Sequence, residues 1–173
     1  MQKIMRRPPQ FQWVTSNGGP FVLVPESRLE EWQGIDGPAG KAHYDRACTL
    51  AGEFMGLVDI DGLQALVFGD EPNDTLVWHC PEFIAVIRMI GAPEPQDLRG
   101  ILEDVVHPVE QKPELEYTLD EPRALLFDSA YPGSDAVESA AVLWMEPGRF
   151  KIGTTEMEDD GGAYSLMVHK LWR

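Results

Sequence analysis

Met55-Gly-Leu-Val-Asp-Ile60-Asp61-Gly62-Leu63-Gln-Ala-Leu-Val-Phe68 decides the fold class. Two β-prone runs flank Asp61-Gly62, and Asp-Gly supplies the positive φ that a two-residue hairpin turn demands. The segment therefore reads as antiparallel strands at 55–60 and 63–68. Downstream, 75–80 and 83–90 read as a second antiparallel pair around Pro81-Glu82. Further strands are expected at 115–120, 123–129, 140–146, 149–156 and 163–172, the last two joined through Asp159-Asp160-Gly161-Gly162. Upstream, 11–14 and 21–24 read as a short hairpin around Asn17-Gly18-Gly19, with Pro25 ending the second strand because it cannot donate to a ladder.

Helical spacing is sparser. Residues 26–32 suit one or two turns that put Leu29 and Trp32 on one side. From His43 to about Phe54, Tyr44, Ala47, Cys48 and Ala51 recur at helical period; from Pro95 to Val106, Leu98, Ile101, Leu102 and Val105 do the same. The expectation is an α+β fold, antiparallel β-sheets with about two packed helices, in a single domain over 1–173. Gln64-Ala-Leu-Val-Phe68 is echoed by Arg123-Ala-Leu-Leu-Phe127, and Leu76-Val-Trp78 by Val142-Leu-Trp144. That echo leaves open two pseudo-repeated halves, about 11–92 and 113–173, beside convergence of hydrophobic strands on similar residues.

Composition bounds the function. With 173 residues and 43% hydrophobic content, the chain can bury a core without disulfides. No apolar run approaches the ~20 residues that a membrane-spanning helix needs. Pro8-Pro9 follows Lys3, Arg6 and Arg7 where a secretory signal would be apolar, so a cytoplasmic protein with two buried, reduced thiols, Cys48 and Cys80, is expected. The formal net charge is −15. No Lys or Arg occurs between Arg46 and Arg88, where Glu53, Asp59, Asp61, Asp70, Glu71, Asp74 and Glu82 all fall. Such a field disfavours nucleic acid and anionic membranes and attracts a basic protein, although acidity also serves solubility alone.

Motifs for chemistry are scarce. His43, His79, His107 and His169 form no metal-ligand spacing. His79 and Cys80 are adjacent, so on a strand they face opposite sides. No phosphate-cradling glycine loop and no nucleophile elbow is present. The acid groups Asp70/Glu71/Asp74 and Glu158-Asp159-Asp160 lack the alternation of a calcium loop and read as solvated turns. The sequence therefore points to no catalytic residue, no metal and no cofactor. Among the tryptophans Trp13, Trp32, Trp78, Trp144 and Trp172, Trp32 borders a Gly-rich loop and is the expected partner anchor, with core packing as its alternative.

Four blocks occur in a fixed order: Trp13-Val-Thr-Ser-Asn-Gly-Gly-Pro20 running into Phe21-Val-Leu-Val-Pro25, then Trp32-Gln-Gly34, Tyr44-Asp-Arg-Ala-Cys48, and Ala65-Leu-Val-Phe-Gly-Asp-Glu-Pro72. Together they resemble the immunity protein 21 family over roughly residues 11–90. Trp78 fills the place of the family's next tryptophan, while Ile87-Arg88-Met89 lacks the following one. The resemblance implies a bacterial protein of polymorphic toxin systems that neutralises a cognate toxin domain by stoichiometric binding, not an enzyme. Joined to the acidic charge, it suggests a basic toxin such as a nuclease, with Asp70, Glu71, Asp74 and Glu82 for steering and Trp32 as anchor. An adaptor or chaperone-like binding module, and a carboxylate- or metal-dependent hydrolase, stand as the alternatives.

Overall fold

The computed structural model describes residues 10–37, 42–51, 54–69, 74–91, 112–158, 160–162 and 164–173, together with Gly100, Glu103 and Val105. The strands are β1 (Phe11–Val14), β2 (Phe21–Pro25), β3 (Met55–Ile60), β4 (Leu63–Phe68), β5 (Thr75–His79), β6 (Ile84–Gly91), β7 (Leu115–Leu119), β8 (Arg123–Asp128), β9 (Ala141–Trp144), β10 (Gly148–Glu158) and β11 (Ser165–Trp172). A 3-10 segment spans Glu26–Glu31, α1 spans His43–Ala51 and α2 spans Gly133–Ala136. The strands form two sheets, β1-β5-β6-β11-β10-β7 and β3-β4-β2-β8-β9. Every pairing is antiparallel. The fold is α+β, with the sheets packed face to face.

The Asp61-Gly62 hairpin forms as read, with Ile60 opposite Leu63 and both turn residues at positive φ. The pairs β5–β6 and β10–β11 also form as expected. The sheets meet along the faces that alternate inward: Phe21, Leu23, Leu66, Phe68 and Leu126 against Val77, Val86, Tyr117, Ile152 and Leu171. A second cluster lies on the outer face of the five-stranded sheet. There Val22, Val24, Val67 and Phe127 are covered by Leu29, Trp32, Ala47 and Ala136 from the helical segments. The outer face of the six-stranded sheet carries a third cluster, with Leu76, Trp78, Ile87 and Val168 packed with Val105. Central strands covered on both faces lose the hydrophobic alternation of a half-exposed strand, as β2 and β6 do. Each such side chain taken from water stabilises the fold by about 1.5–3 kcal/mol before the cost of ordering the chain.

Four expectations need correction or limitation. β1 and β2 do not form a hairpin: β1 pairs with β5 in one sheet, and β2 sits between β4 and β8 in the other. The Asn-Gly-Gly stretch is instead a crossing between layers. The echoed segments β4 and β8 flank β2 in one sheet, Trp78 and Trp144 stand in different sheets, and each sheet holds strands from both 11–92 and 113–173. Cys48 is exposed on α1 and Cys80 is half-buried, both as free thiols. Most of the expected 95–106 helix lies outside the described residues, although Gly100, Glu103 and Val105 are helical.

Candidate partner-binding surface

The blocks quoted above converge on one end of the sandwich, where β2 begins and β4 and β8 end at the paired residues Phe21, Phe68 and Asp128. The crossing loop is shaped by Ser16, whose Oγ accepts from the Gly18 and Gly19 N–H groups and donates to Gly19 O. Gly18 has φ +151°, and a Cβ on Gly19 would lie 2.5 Å from the Tyr44 ring, so neither position welcomes a side chain. Asp128 fastens this loop from across the sheet: its carboxylate accepts from Asn17 N at 2.8 Å and from Ala130 N at 3.0 Å.

The Trp-Gln-Gly block completes the platform. Trp32 is fully buried and its Nε1 donates to Ser129 O at 2.9 Å. Gly34 has φ +62°, and a Cβ there would lie 2.4 Å from Ala130 O. Ile35 N donates to Ala130 O, Tyr44 N to Gly34 O and Gly133 N to Trp32 O. His43 closes the corner: its Nδ1 accepts from Gln33 N at 2.9 Å, and burial holds its pKa below the usual range, which keeps the ring neutral and able to accept. Three separate loops are thus bound to one another through backbone groups.

This rigid base displays apolar side chains outward. Ile35 is 60% and Tyr131 44% exposed, on the two segments joined by the Ile35–Ala130 hydrogen bond. Val137 is exposed just beyond α2, and the exposed acids Asp36, Asp135 and Glu138 accompany these residues along the chain. An apolar centre with a charged rim is the anatomy of a protein interface. Sequence reasoning missed Ile35 and Tyr131, because only the fold shows which apolar loop residues lack a cover. Trp13, one of the five candidate tryptophans but passed over for Trp32, is 52% exposed on the edge strand β1; its place beside Phe11 in an alternating edge strand was the available signal.

The expected site residues fare differently. Trp32 is a core residue, not an anchor: with no exposed surface and its N–H already donated, it cannot touch a partner. Asp70 and Glu71 lie outside the described residues. Asp74 and Glu82 are both exposed, but they stand at opposite ends of β5 and share no patch. Asp74 belongs to the platform end. Glu82 lines an open groove at the far end, about 350 Å³ in volume, with Phe83, Trp144, Phe150, Trp172 and Glu146. β9 runs between the two ends, and its outer edge is covered by side chains of the other sheet. Gln12 makes a paired contact with Val142, donating to its carbonyl at 2.7 Å and accepting from its N–H at 2.9 Å. His79 Nε2 accepts from Trp144 N at 3.2 Å.

Among the described residues, the titratable groups assemble no reaction centre. Burial pushes the Cys80 thiol up to about 11, so it is protonated near neutrality and not activated as a nucleophile. His169 is completely buried between Thr154 and the Phe68 ring, and desolvation, with Arg88 nearby, drives its pKa down to about 3. Among the described residues no group of three or more His, Cys, Asp or Glu is placed to hold a metal ion. No helix among them is long and apolar enough to cross a membrane.

Fold and surface define an α+β two-sheet sandwich with an interface-like platform. Comparison with known families carries this to an identity. The family described as Immunity protein 21 matches residues 12–163, and the chain belongs to it. The match extends well beyond the roughly 11–90 span on which the resemblance was first read, taking in β7 to β10. No curated protein and no solved structure matches the chain. Membership implies a toxin as partner and a non-enzymatic role.

Proposed function

We propose that this protein neutralises a cognate toxin domain in the bacterial cytoplasm by stoichiometric binding, with the Ile35–Tyr131 platform as the centre of its docking face. The observation that carries this reading is two large apolar side chains held outward on loops joined backbone to backbone, the first of them running on from Trp32-Gln-Gly34. A preformed face spends little entropy on ordering when a partner arrives. The −15 charge favours a basic toxin, such as a nuclease, and Asp70, Glu71, Asp74 and Glu82 contribute to long-range attraction. Because Asp74 and Glu82 sit at opposite ends, they act through the summed field and not as a contact patch.

The test is co-expression with the C-terminal domain of the large protein encoded beside the gene. Growth rescue and a one-to-one complex are the expected results, with both weakened by Ile35→Asp plus Tyr131→Ala. An active toxin domain that is neither bound nor neutralised would sink the proposal. Neutralising Asp70, Glu71, Asp74 and Glu82 together should slow association several-fold at low salt and little at high salt.

A further inference from the structure

The groove at the far end of the sandwich has a chemical character of its own. It opens where β9, β11 and the β5–β6 turn end, walled by Trp144, Trp172, Phe83 and Phe150, with exposed carboxylates on Glu82 and Glu146. Trp144 and Trp172 are only partly covered, so their rings are available to a guest, whereas the Phe83 ring already carries the Lys170 ammonium 4.8 Å from its centroid. Aromatic faces beside carboxylates form an environment selective for a delocalised cation: the rings attract it through their quadrupoles and the acids through charge.

The molecule shows this preference on itself. The Arg173 guanidinium lies 5.7 Å over the Phe150 ring, donates to Glu146 O at 2.9 Å and Pro147 O at 3.1 Å, and stands 3.8 Å from the Glu146 carboxylate. Its side chain remains 55% exposed, so it occupies the rim and leaves the body of the groove open.

We propose that this groove receives an arginine side chain from a basic segment of a partner protein, its guanidinium stacked against Trp144 and Trp172 and neutralised by Glu82 and Glu146. The inference rests on the immunity reading for the identity of that partner, the toxin domain. β9 supplies the geometry for one partner to reach both places, since the segment before it carries Val137 of the platform and its last residue, Trp144, lines the groove. Arginine is preferred over lysine because a planar guanidinium can stack and hydrogen-bond at once.

The groove is tested first without any toxin. Titrating acetyl-(Arg)3-amide into isotope-labelled protein should move the indole N–H signals of Trp144 and Trp172, whereas the neutral isostere acetyl-(citrulline)3-amide should not. Glu82→Gln with Glu146→Gln, both exposed positions that leave the core untouched, should weaken the arginine peptide on the order of tenfold. Arg173→Ala should strengthen it by removing the resident cation. Unmoved Trp144 and Trp172 signals, or equal binding of the citrulline peptide, would overturn the proposal. The second arm measures the Kd of the toxin domain. If the wild-type protein neutralises the toxin and the double Gln variant binds it equally well, the groove is not part of that interface and the inference is refuted while the immunity reading stands. If the wild-type protein does not bind the toxin at all, it is the immunity reading that fails, and the peptide titration still decides whether the groove is an arginine site.

Discussion

The two ends of the sandwich contrast in how they handle exposed apolar surface. At the platform end, loops are joined backbone to backbone, glycines admit close approach, and Ile35 and Tyr131 stand outward on a filled base. At the other end, the sheets part around a groove of about 350 Å³, and aromatic side chains face inward to an open space. An apolar patch on hydrogen-bonded loops suits burial under a partner's surface, whereas an aromatic slot suits one inserted side chain. Trp32 and Trp144 show how one residue type serves each design: Trp32 is wholly covered and holds Ser129, while Trp144 is a half-buried wall.

The comparison is most severely tested at Trp32. Trp32→Ala should cost about 3–5 kcal/mol of unfolding free energy by leaving a cavity and a carbonyl without its donor. Trp13→Ala, on the exposed edge, should stay within about 0.5 kcal/mol. Urea unfolding of both variants checks the contrast, and near-equal losses would remove the distinction between buried and displayed tryptophans.

Acid should weaken the sandwich through His169, which lies among the inward-facing residues toward the platform end. Its folded pKa of about 3 is below the value near 6.5 of an unfolded chain. The unfolded state therefore binds the extra proton first, and stability contributed by the neutral ring is full above about pH 6.5 and lost progressively as pH falls toward 3. At pH 4.5 the loss should be on the order of 2–3 kcal/mol relative to neutrality. His169→Gln should flatten that part of the stability profile, and an unchanged slope in urea titrations would contradict the assignment.

Between the two ends, Gln12→Ala removes both partners of the Val142 backbone and should cost about 1–3 kcal/mol. Faster amide exchange at Val142, with exchange at β4 unaltered, would localise the effect to the β9 edge. The smallest stability change belongs to Ile35→Ala and Tyr131→Ala, each within about 0.5 kcal/mol in the free protein. Their toxin complexes should nonetheless weaken by about 2 kcal/mol or more if these residues are interface hot spots. Calorimetric binding with unchanged affinity would move the docking face elsewhere.

Much of the architecture was legible because its signals are local. Asp61-Gly62 with flanking β-branched and aliphatic residues specifies a hairpin by turn geometry, and Leu29 with Trp32 specifies one buried side of a turn. The failures share a cause. Asn17-Gly18-Gly19 advertises positive φ, but φ alone does not say whether a chain returns beside itself or crosses to another layer. Trp32, two residues before a glycine, reads equally as anchor or core until Ser129, ninety-seven residues later, provides the acceptor that buries it. Asp74 and Glu82 are near in sequence, yet a strand between them carries their side chains to opposite ends.

The sequence by itself determined the strand runs, the principal hairpins, the acidic charge and the blocks that mark the family. These are properties of short windows, where backbone preference and alternation act within a few residues. Only the tertiary structure decided that β1 and β2 belong to different sheets, that Trp32 is core while Ile35 and Tyr131 are surface, and that an acid-rimmed aromatic groove exists. Burial is a property of what packs against a residue, and here the covering atoms come from distant strands and loops.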